Sequence, residues 1–341
     1  MPVLWTTCTD FPLRTPMPET SIIIVSHNGL RETTAPCLES IFKYGAGCDF
    51  EVIVVDNKSS DDTPAYLNNM MKDEPRLKCI FNKSNRGFAG GNNDGLRIAS
   101  GSYLILLNSD CIVTKDWIEG LTALLTHDPV IGLVGPVSNS VGNEQRIFTT
   151  SITPELIIEE GQTWVSNSLG GRFETEMLGF FCVALRRDVL DHVGFLDESF
   201  GLGFYEDDDY CMRVRHAGYK LICAEEVFVY HRGGGSFSLM GNGTRKIMKE
   251  NRRKLKTKHP LHHQRIHPRH LQLRVIEGYL GEVTGYRDAS RTLLSPGVQY
   301  RISNRIRSIE SHMPRGFMKR WAFNRKFERV KDLLRRHGMD V

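Results

Sequence analysis

The most constraining feature of this chain is the run Ser102-Tyr103-Leu104-Ile105-Leu106-Leu107, which stops abruptly at Asn108-Ser109-Asp110. A short apolar stretch closed off by polar residues reads as a strand buried on both faces, as in a parallel sheet. Two earlier stretches have the same form. Ser21–Val25 leads into Ser26-His27-Asn28-Gly29, and Glu51–Val55 ends in Asp56-Asn57-Lys58-Ser59-Ser60-Asp61-Asp62-Thr63. Leu77–Phe81 reads as a further strand. Helical spacing over Thr33–Lys43, from the 56–63 segment to about Lys72, and again up to Ala99 separates these strands. Such alternation predicts an α/β fold with a parallel sheet and right-handed connections. In sheets of this kind ligands bind beyond the carboxyl ends of the strands. The residues that close each run are therefore the first candidates for chemistry.

The second half is less regular. Ile131–Val137 is expected as a strand, 138–176 as polar, irregular loops over the sheet, and Met177–Leu185 as an apolar stretch ending at Arg186-Arg187. Gly201–Tyr205 precedes a helix that starts in Glu206-Asp207-Asp208-Asp209 and runs to Ala217, with Gly218 as its cap. Lys220–Cys223 and Val227–Tyr230 are expected as two short strands, the second ending at His231. This divides the chain into an extended, proline-containing arm (1–20), a body (21–240) and a C-terminal extension (241–341).

Charge sharpens that division. Residues 1–240 carry 19 Lys and Arg against 32 Asp and Glu, a net of −13, whereas 241–341 carry 25 against 8, a net of +17. An acidic body with a basic tail implies either an anionic partner for the tail or attraction between the two parts. No apolar run reaches the length of a membrane span and no signal-peptide pattern opens the sequence, so no bilayer-spanning segment is expected. The eight cysteines include no C-x-x-C pair, which fits reduced thiols in a cytosol.

Several residues stand where chemistry is plausible, each with a plainer alternative. Asp110, at the sheet's carboxyl edge, suits a divalent cation that clamps a diphosphate; an Asx turn would use the same residue. Asp56 could accept hydrogen bonds from a base or ribose, or shape its turn. Asn85-Arg86-Gly87-Phe88-Ala89-Gly90-Gly91-Asn92-Asn93 offers glycine N–H groups to a phosphate ahead of a helix, or is a flexible loop. Four successive acids at 206–209 are costly to gather unless solvated, metal-bound or driven to different pKa values. A buried member would serve as a general base; an acidic first turn facing water is the alternative. His231 could complete a Mg²⁺ or Mn²⁺ site with Asp110, or be structural.

Taken in order, Val-Ser-His-Asn, Val-Asp-Asn-x-Ser-x-Asp, Asn-x-Gly-Phe-Ala-Gly-Gly-Asn-Asn, Leu-Asn-Ser-Asp, Glu-Asp-Asp-Asp-Tyr-Cys-x-Arg and Tyr-His-Arg-Gly-Gly-Gly resemble the motif series of the family 2 glycosyltransferases. The resemblance covers about residues 20–237, and the glycine segment is most similar to the rhamnosyltransferase-like branch that acts on cell-surface polysaccharides. It implies a GT-A fold, a Rossmann-like and mostly parallel sheet flanked by helices, here followed by a basic, mostly helical extension. It also implies an inverting, metal-dependent transfer from a nucleotide-diphosphate sugar (a dTDP- or UDP-sugar, dTDP-rhamnose among them) to a saccharide or lipid-linked saccharide. By position it gives Ser26, Asn28, Asp56, Asn57, Asn85, Gly87, Asn92 and Ser109 to the nucleotide, and Asp110 and His231 to Mg²⁺ or Mn²⁺. Asp207 becomes the base, with Asp208 its rival, and Gly179, Phe180 and Glu206 meet the acceptor. Asn108 stands where the family often has a further Asp.

In the tail, Phe317, Trp321, Phe327, Val330 and Leu334 recur at helical spacing among basic residues. The segment 313–336 therefore reads as a basic amphipathic helix, lying on an anionic membrane or docked on the acidic body. The protein is expected in the cytoplasm, and in the first case peripheral on the inner face of the cell membrane. Nucleic acid is disfavoured as a partner, because no aromatic for base stacking occurs between Phe237 and Tyr279. A sugar-nucleotide pyrophosphorylase is the rival enzyme class, although His27-Asn28-Gly29-Leu30 is a poor match to the basic glycine loop it needs.

Overall fold

The computed structural model describes residues 19–168, 171–233, 242–260, 272–277, 280, 296–311, 313 and 317–341. The arm expected over 1–20 falls, but for its last two residues, outside them. The body elements are β1 (Thr20–Ser26), α1 (Ala35–Tyr44), β2 (Phe50–Asp56), α2 (Thr63–Asp73), β3 (Leu77–Phe81), α3 (Gly87–Ile98), β4 (Tyr103–Asn108), β5 (Cys111–Ile112), α4 (Trp117–His127), β6 (Ile131–Val137), α5 (Pro154–Ser168), β7 (Arg172–Thr175), β8 (Cys182–Arg186), α6 (Arg187–Val193), α7 (Glu206–His216), β9 (Lys220–Phe228) and β10 (Tyr230–His231). The extension supplies α8 (Asn242–Lys258), α9 (Pro296–Ser311) and α10 (Phe317–Arg336).

Eight strands form one sheet in the order β3-β2-β1-β4-β8-β6-β9-β7, and β5 pairs with β10 in a separate two-stranded ribbon. Strands β3, β2, β1 and β4 are mutually parallel, as are β6 and β9. The apolar runs are buried on both faces because each face is covered by helices. Ile23, Ile53, Leu104 and Leu106 face α3 through Ala89 and Leu96. Ile22, Ile24, Val52, Val54, Ile105 and Leu107 face Leu38 and Ile41 of α1, Leu67 of α2 and Trp117 of α4. The period of two along each strand sorts the residues between these two layers.

Two expectations change and one gains detail. The sheet is mostly parallel, as the resemblance implies, but β8 runs against both β4 and β6, and β7 against β9. Phe181 enters beside the end of β4, its carbonyl accepting from Asn108 N at 2.8 Å, so β8 can only run back along it. The segment 138–176 is not irregular throughout but contains α5 and β7. Ile157, Gly161 and Trp164 line one face of α5, and Gly161 lies so close to the Phe228 ring that a Cβ would meet it at 2.3 Å. Finally, the strands expected at 220–223 and 227–230 are one strand, β9, followed by the short β10. Glu225 interrupts the apolar pattern yet is fully buried, paired with Arg301 of α9.

The extension folds against the body and itself. Ile302, Ile306 and Ile309 of α9 share a core with Phe323, Phe327, Val330 and Leu334 of α10 and with Leu273, Ile276 and Leu280. Tyr300 meets Trp164 of α5 edge-on, ring centroids 6.1 Å apart. Most of the apolar face described for α10 is thus covered by protein; Trp321, 61% exposed, is the exception. No helix among the described residues is long and apolar enough to cross a membrane.

Candidate active site

Three strand ends meet at one edge. Ser26 lies in register with Asp56, and Val25 with Asn108. The loops that follow are laced together: Ser60 N donates to Asn28 Oδ1 (2.7 Å), Asn28 N to Ser59 Oγ (2.8 Å) and Leu30 N to Asp61 Oδ2 (3.1 Å). Asn28 takes the left-handed conformation (φ 58°) that asparagine tolerates. Asp56 is buried and accepts Ser59 N at 3.2 Å, while Asn28 and Ser109 are half-buried at the rim. Ser26 and Asn57 point inward. The Ser26 hydroxyl bonds to Thr34 Oγ1 (2.8 Å), and the Asn57 amide donates to the Gly87 carbonyl (2.9 Å) while its oxygen accepts from Asn82 (3.0 Å).

The glycine segment is not a loop ahead of a helix; it is the first two turns of α3. Its glycines let neighbouring elements come close to the helix backbone. A Cβ on Gly91 would meet Val25 at 2.8 Å, and one on Gly87 (φ +71°) would meet the Gly201 carbonyl at 2.1 Å. The leading N–H groups already have partners: Gly87 N donates to Asn85 Oδ1 (2.8 Å) and Phe88 N to the Leu202 carbonyl (3.2 Å). Two of the N–H groups expected to cradle a phosphate are therefore engaged within the protein. Asn92 bonds within its own helix, to the Phe88 carbonyl. Its neighbour Asn93 reaches across, donating to the Leu196 carbonyl (3.0 Å) and Glu198 (2.9 Å).

The β5–β10 ribbon sets His231 opposite Cys111, beside Asp110. His231 Nε2 lies 3.3 Å from Asp110 Oδ1, and its Nδ1 lies 2.6 Å from the Ser140 carbonyl. A carbonyl can only accept, so Nδ1 carries a hydrogen and the lone pair of a neutral ring faces the carboxylate. Two acceptors that close require a positive charge between them, either a proton or a metal ion. Burial alone would lower the imidazole pKa, but the Asp110 carboxylate and the Ser140 carbonyl raise it. Phe181 stacks on the ring at 5.2 Å, and Asn139 pairs with the His231 backbone in both directions. One carboxylate oxygen and one imidazole nitrogen fit a hard cation such as Mg²⁺ or Mn²⁺. The nearby Cys111 thiol, pushed far up by burial and then by Asp110, stays protonated and does not.

The acidic run opens α7 after a strained turn, with Gly201, Gly203, Phe204 and Tyr205 all at positive φ. Asp209 does not cap the helix. It is fully buried and met by Arg213 Nε (2.9 Å), Lys258 Nζ (2.8 Å) and His259 Nε2 (2.8 Å). Against the upward push of burial, these partners hold its carboxyl below the usual range. The other three share one desolvated corner. Burial, then the charge of Asp207, drives Glu206 to about 8 and Asp208 to about 7. Asp207 is also raised by burial, but the N–H groups of Asp208 (2.9 Å) and Phe180 oppose it. The helix N-terminus favours an anion here, and Asp207 is the member best placed to carry it.

Gly179 and Phe180 present backbone rather than side chain to this corner. The Phe180 ring is buried edge-on against Tyr210, centroids 5.8 Å apart, and Gly179 N donates to Gln145 Oε1 (2.7 Å). Consecutive residues thus touch both centres: Phe180 N bonds the Asp207 carboxylate, and the Phe181 ring stacks on His231. Beside Gly179 a cavity of about 1120 Å³ is lined by Asn143, Met177, Arg215, Tyr300 and Arg301 among others.

Comparison with known proteins bears on the family and the fold. The chain is 26% identical over 230 residues, 64% of its length, to Uncharacterized protein y4gI of Sinorhizobium fredii, of which it covers 25%. It is 24% identical over 189 residues (54% of this chain, 57% of the relative) to the GalNAc(5)-diNAcBac-PP-undecaprenol beta-1,3-glucosyltransferase of Campylobacter jejuni. The chain spans between 21% and 57% of the length of eight curated relatives it matches. Its fold is similar to that of S. aureus TarS 1-349 in complex with UDP-GlcNAc (TM-score 0.53, 15% identity, 93% of this chain and 84% of that one). It is also similar to GalNAc-T7 with UDP, GalNAc and Mn²⁺ (TM-score 0.52, 18% identity, 87% and 58%). Residues 21–194 match the profile of Glycosyl transferase family 2. With a body of GT-A architecture and just over half its length matching that profile, the chain belongs to glycosyl transferase family 2.

Proposed function

We propose that this protein is an inverting glycosyltransferase that moves a sugar from a nucleotide-diphosphate donor to a hydroxyl of a saccharide or lipid-linked saccharide. The observation that carries this reading is the 180–181 step, which touches an ionisable carboxylate on one side and the Asp110–His231 pair on the other. The nucleotide would lie along the rim formed by Asn28, Asp56 and Ser109, with its diphosphate toward Asp110. Asp207 accepts the proton of the acceptor hydroxyl as that oxygen attacks the anomeric carbon. The bond to the diphosphate breaks on the opposite face, so configuration inverts. A Mg²⁺ or Mn²⁺ ion held by Asp110 and His231 would neutralise the charge of the departing diphosphate. Glu206, protonated near neutrality, leaves the negative charge of the corner to Asp207 and Asp208.

The donor is proposed as a dTDP- or UDP-sugar, and the cavity beside Gly179 offers room for an acceptor longer than one sugar. The undecaprenol-linked substrate in the Campylobacter relative's name supports a lipid-linked acceptor, and with it a site of action at the inner face of the cell membrane. The pyrophosphorylase alternative loses ground because the loop after β1 is laced to its neighbour by asparagine, serine and aspartate and offers no cationic glycine loop.

A thermal-shift panel of UDP-, dTDP- and GDP-sugars with and without Mn²⁺ tests the donor site, since binding to the folded state raises the melting temperature. A metal-dependent rise that Asp110→Asn abolishes is expected; no rise with any of them overturns the reading. In a turnover assay Asp207→Asn should lose roughly 10²–10⁴-fold while still binding donor. Full turnover by that variant would move the base elsewhere.

A further inference from the structure

The extension reaches back to the candidate active site through α8, and we infer that Asn251 on that helix is a positioning residue for Asp207. Its side-chain nitrogen, with two hydrogens to give, lies within hydrogen-bond distance of three main-chain carbonyls: Phe200 (2.7 Å), Gly203 (2.9 Å) and Phe204 (3.1 Å). Those carbonyls belong to the turn in which Gly201, Gly203, Phe204 and Tyr205 all have positive φ. Phenylalanine and tyrosine gain nothing from a left-handed backbone, so the surroundings must impose it. The residue two beyond that strained pair is Asp207.

Asn251 is 6% exposed and sits within a built contact. One turn on, Leu255 packs with Phe200 and Met212, and Lys254 donates to the Ser199 carbonyl. Lys258 bridges Asp197 (2.7 Å) and Asp209 (2.8 Å). The far side of the same turn is held by α3, through the close approach of Gly87 to Gly201 and the bonds from Asn93 to Leu196 and Glu198. The turn is thus clamped between the helix that borders the donor edge and a helix of the extension. A side-chain donor is needed at position 251, because three acceptors converge there and a carboxylate or aliphatic group would leave them facing no donor.

The inference rests on the reading of Asp207 as the base, so its test has one arm that does not. In the full chain, hydrogen exchange followed by mass spectrometry should show amides of 200–208 exchanging at least about tenfold faster in Asn251→Asp than in wild type. Lys256→Ala, exposed on the same helix, should leave exchange unchanged. Asn251→Ser, smaller and still a donor, gives an intermediate effect and serves alone if Asn251→Asp does not fold. In the second arm, hydrolysis of a fixed panel of UDP-, dTDP- and GDP-sugars should fall about 10–100-fold in kcat, with KM for the donor within twofold, as for a misplaced rather than a missing base. Wild-type exchange rates in both Asn251 variants overturn the clamp. Faster exchange with unchanged kcat overturns the positioning role. If wild type hydrolyses no nucleotide sugar, the catalytic reading fails, and the exchange arm still judges the clamp by itself.

Discussion

Replacing Glu206 by Gln keeps the shape of a side chain that is 6% exposed and removes its ability to ionise. In the folded protein burial, then the neighbouring Asp207 charge, lifts this carboxyl from 4.5 to about 8. Below pH 4.5 it is protonated whether the chain is folded or not, and contributes no slope. Between 4.5 and 8 the unfolded chain ionises while the folded one does not, so stability is lost as pH rises through that window. One pKa unit corresponds to about 1.4 kcal/mol, which sets a ceiling of about 5 kcal/mol by pH 8. Relaxation around the ionised carboxylate reduces this, and about 2–4 kcal/mol is the expected difference. Urea unfolding of both proteins at intervals from pH 5 to 9 measures it. The two curves should run closest at pH 5 and separate steadily, Glu206→Gln becoming the more stable. Any constant offset from placing an amide in the pocket leaves the slope untouched. Parallel curves would refute the reasoning, because they would mean that Glu206 ionises in the folded state as readily as in water.

Gly87→Ala must place a side chain at φ +71° and 2.1 Å from the Gly201 carbonyl. The left-handed backbone alone costs about 1–2 kcal/mol, and displacement of the 201–202 turn adds to it; a change under about 0.5 kcal/mol in urea unfolding would show that the contact yields freely. Since α10 spends Phe323, Phe327, Val330 and Leu334 on the protein's own core, the full chain should not float with phosphatidylserine vesicles at about 0.15 M salt. Flotation that Trp321→Ala abolishes would mean that this helix leaves its packed position to meet the bilayer.

The strands that carry the donor edge were legible because burial on both faces writes an unbroken apolar run, and the polar residues after it mark where the run meets solvent. Ser26, Asp56 and Asp110 were placed at the sheet edge in this way. The glycines of α3 misled because glycine is a turn signal by itself; only the neighbouring strand reveals that close packing requires it. Local charge misled likewise at Glu225, whose partner Arg301 is 76 residues away. Asn93, Ser140, Gln145 and Asn251 carry no local signature. Each matters through a backbone group that the fold brings near, and side chain to main chain pairing over such separations leaves no periodicity to read. The acids at 206–209 were legible as a group but not by role, since what separates Asp207 from Asp209 is which donors surround each one.

The ribbon of β5 and β10 has a consequence for the order in which this protein becomes competent. Ser26, Asp56 and Asn108 are all in hand once a nascent chain has passed β4, and their strands pair as neighbours in the sheet. Asp110, by contrast, waits for His231 and Ser140 for its companion, and β8 must first slot in between β4 and β6. A ribosome-bound chain halted at 200 residues would hold the strands of the proposed nucleotide rim and Asp110 without His231. Under the proposed function, transfer would wait until the last strand of the body is laid down.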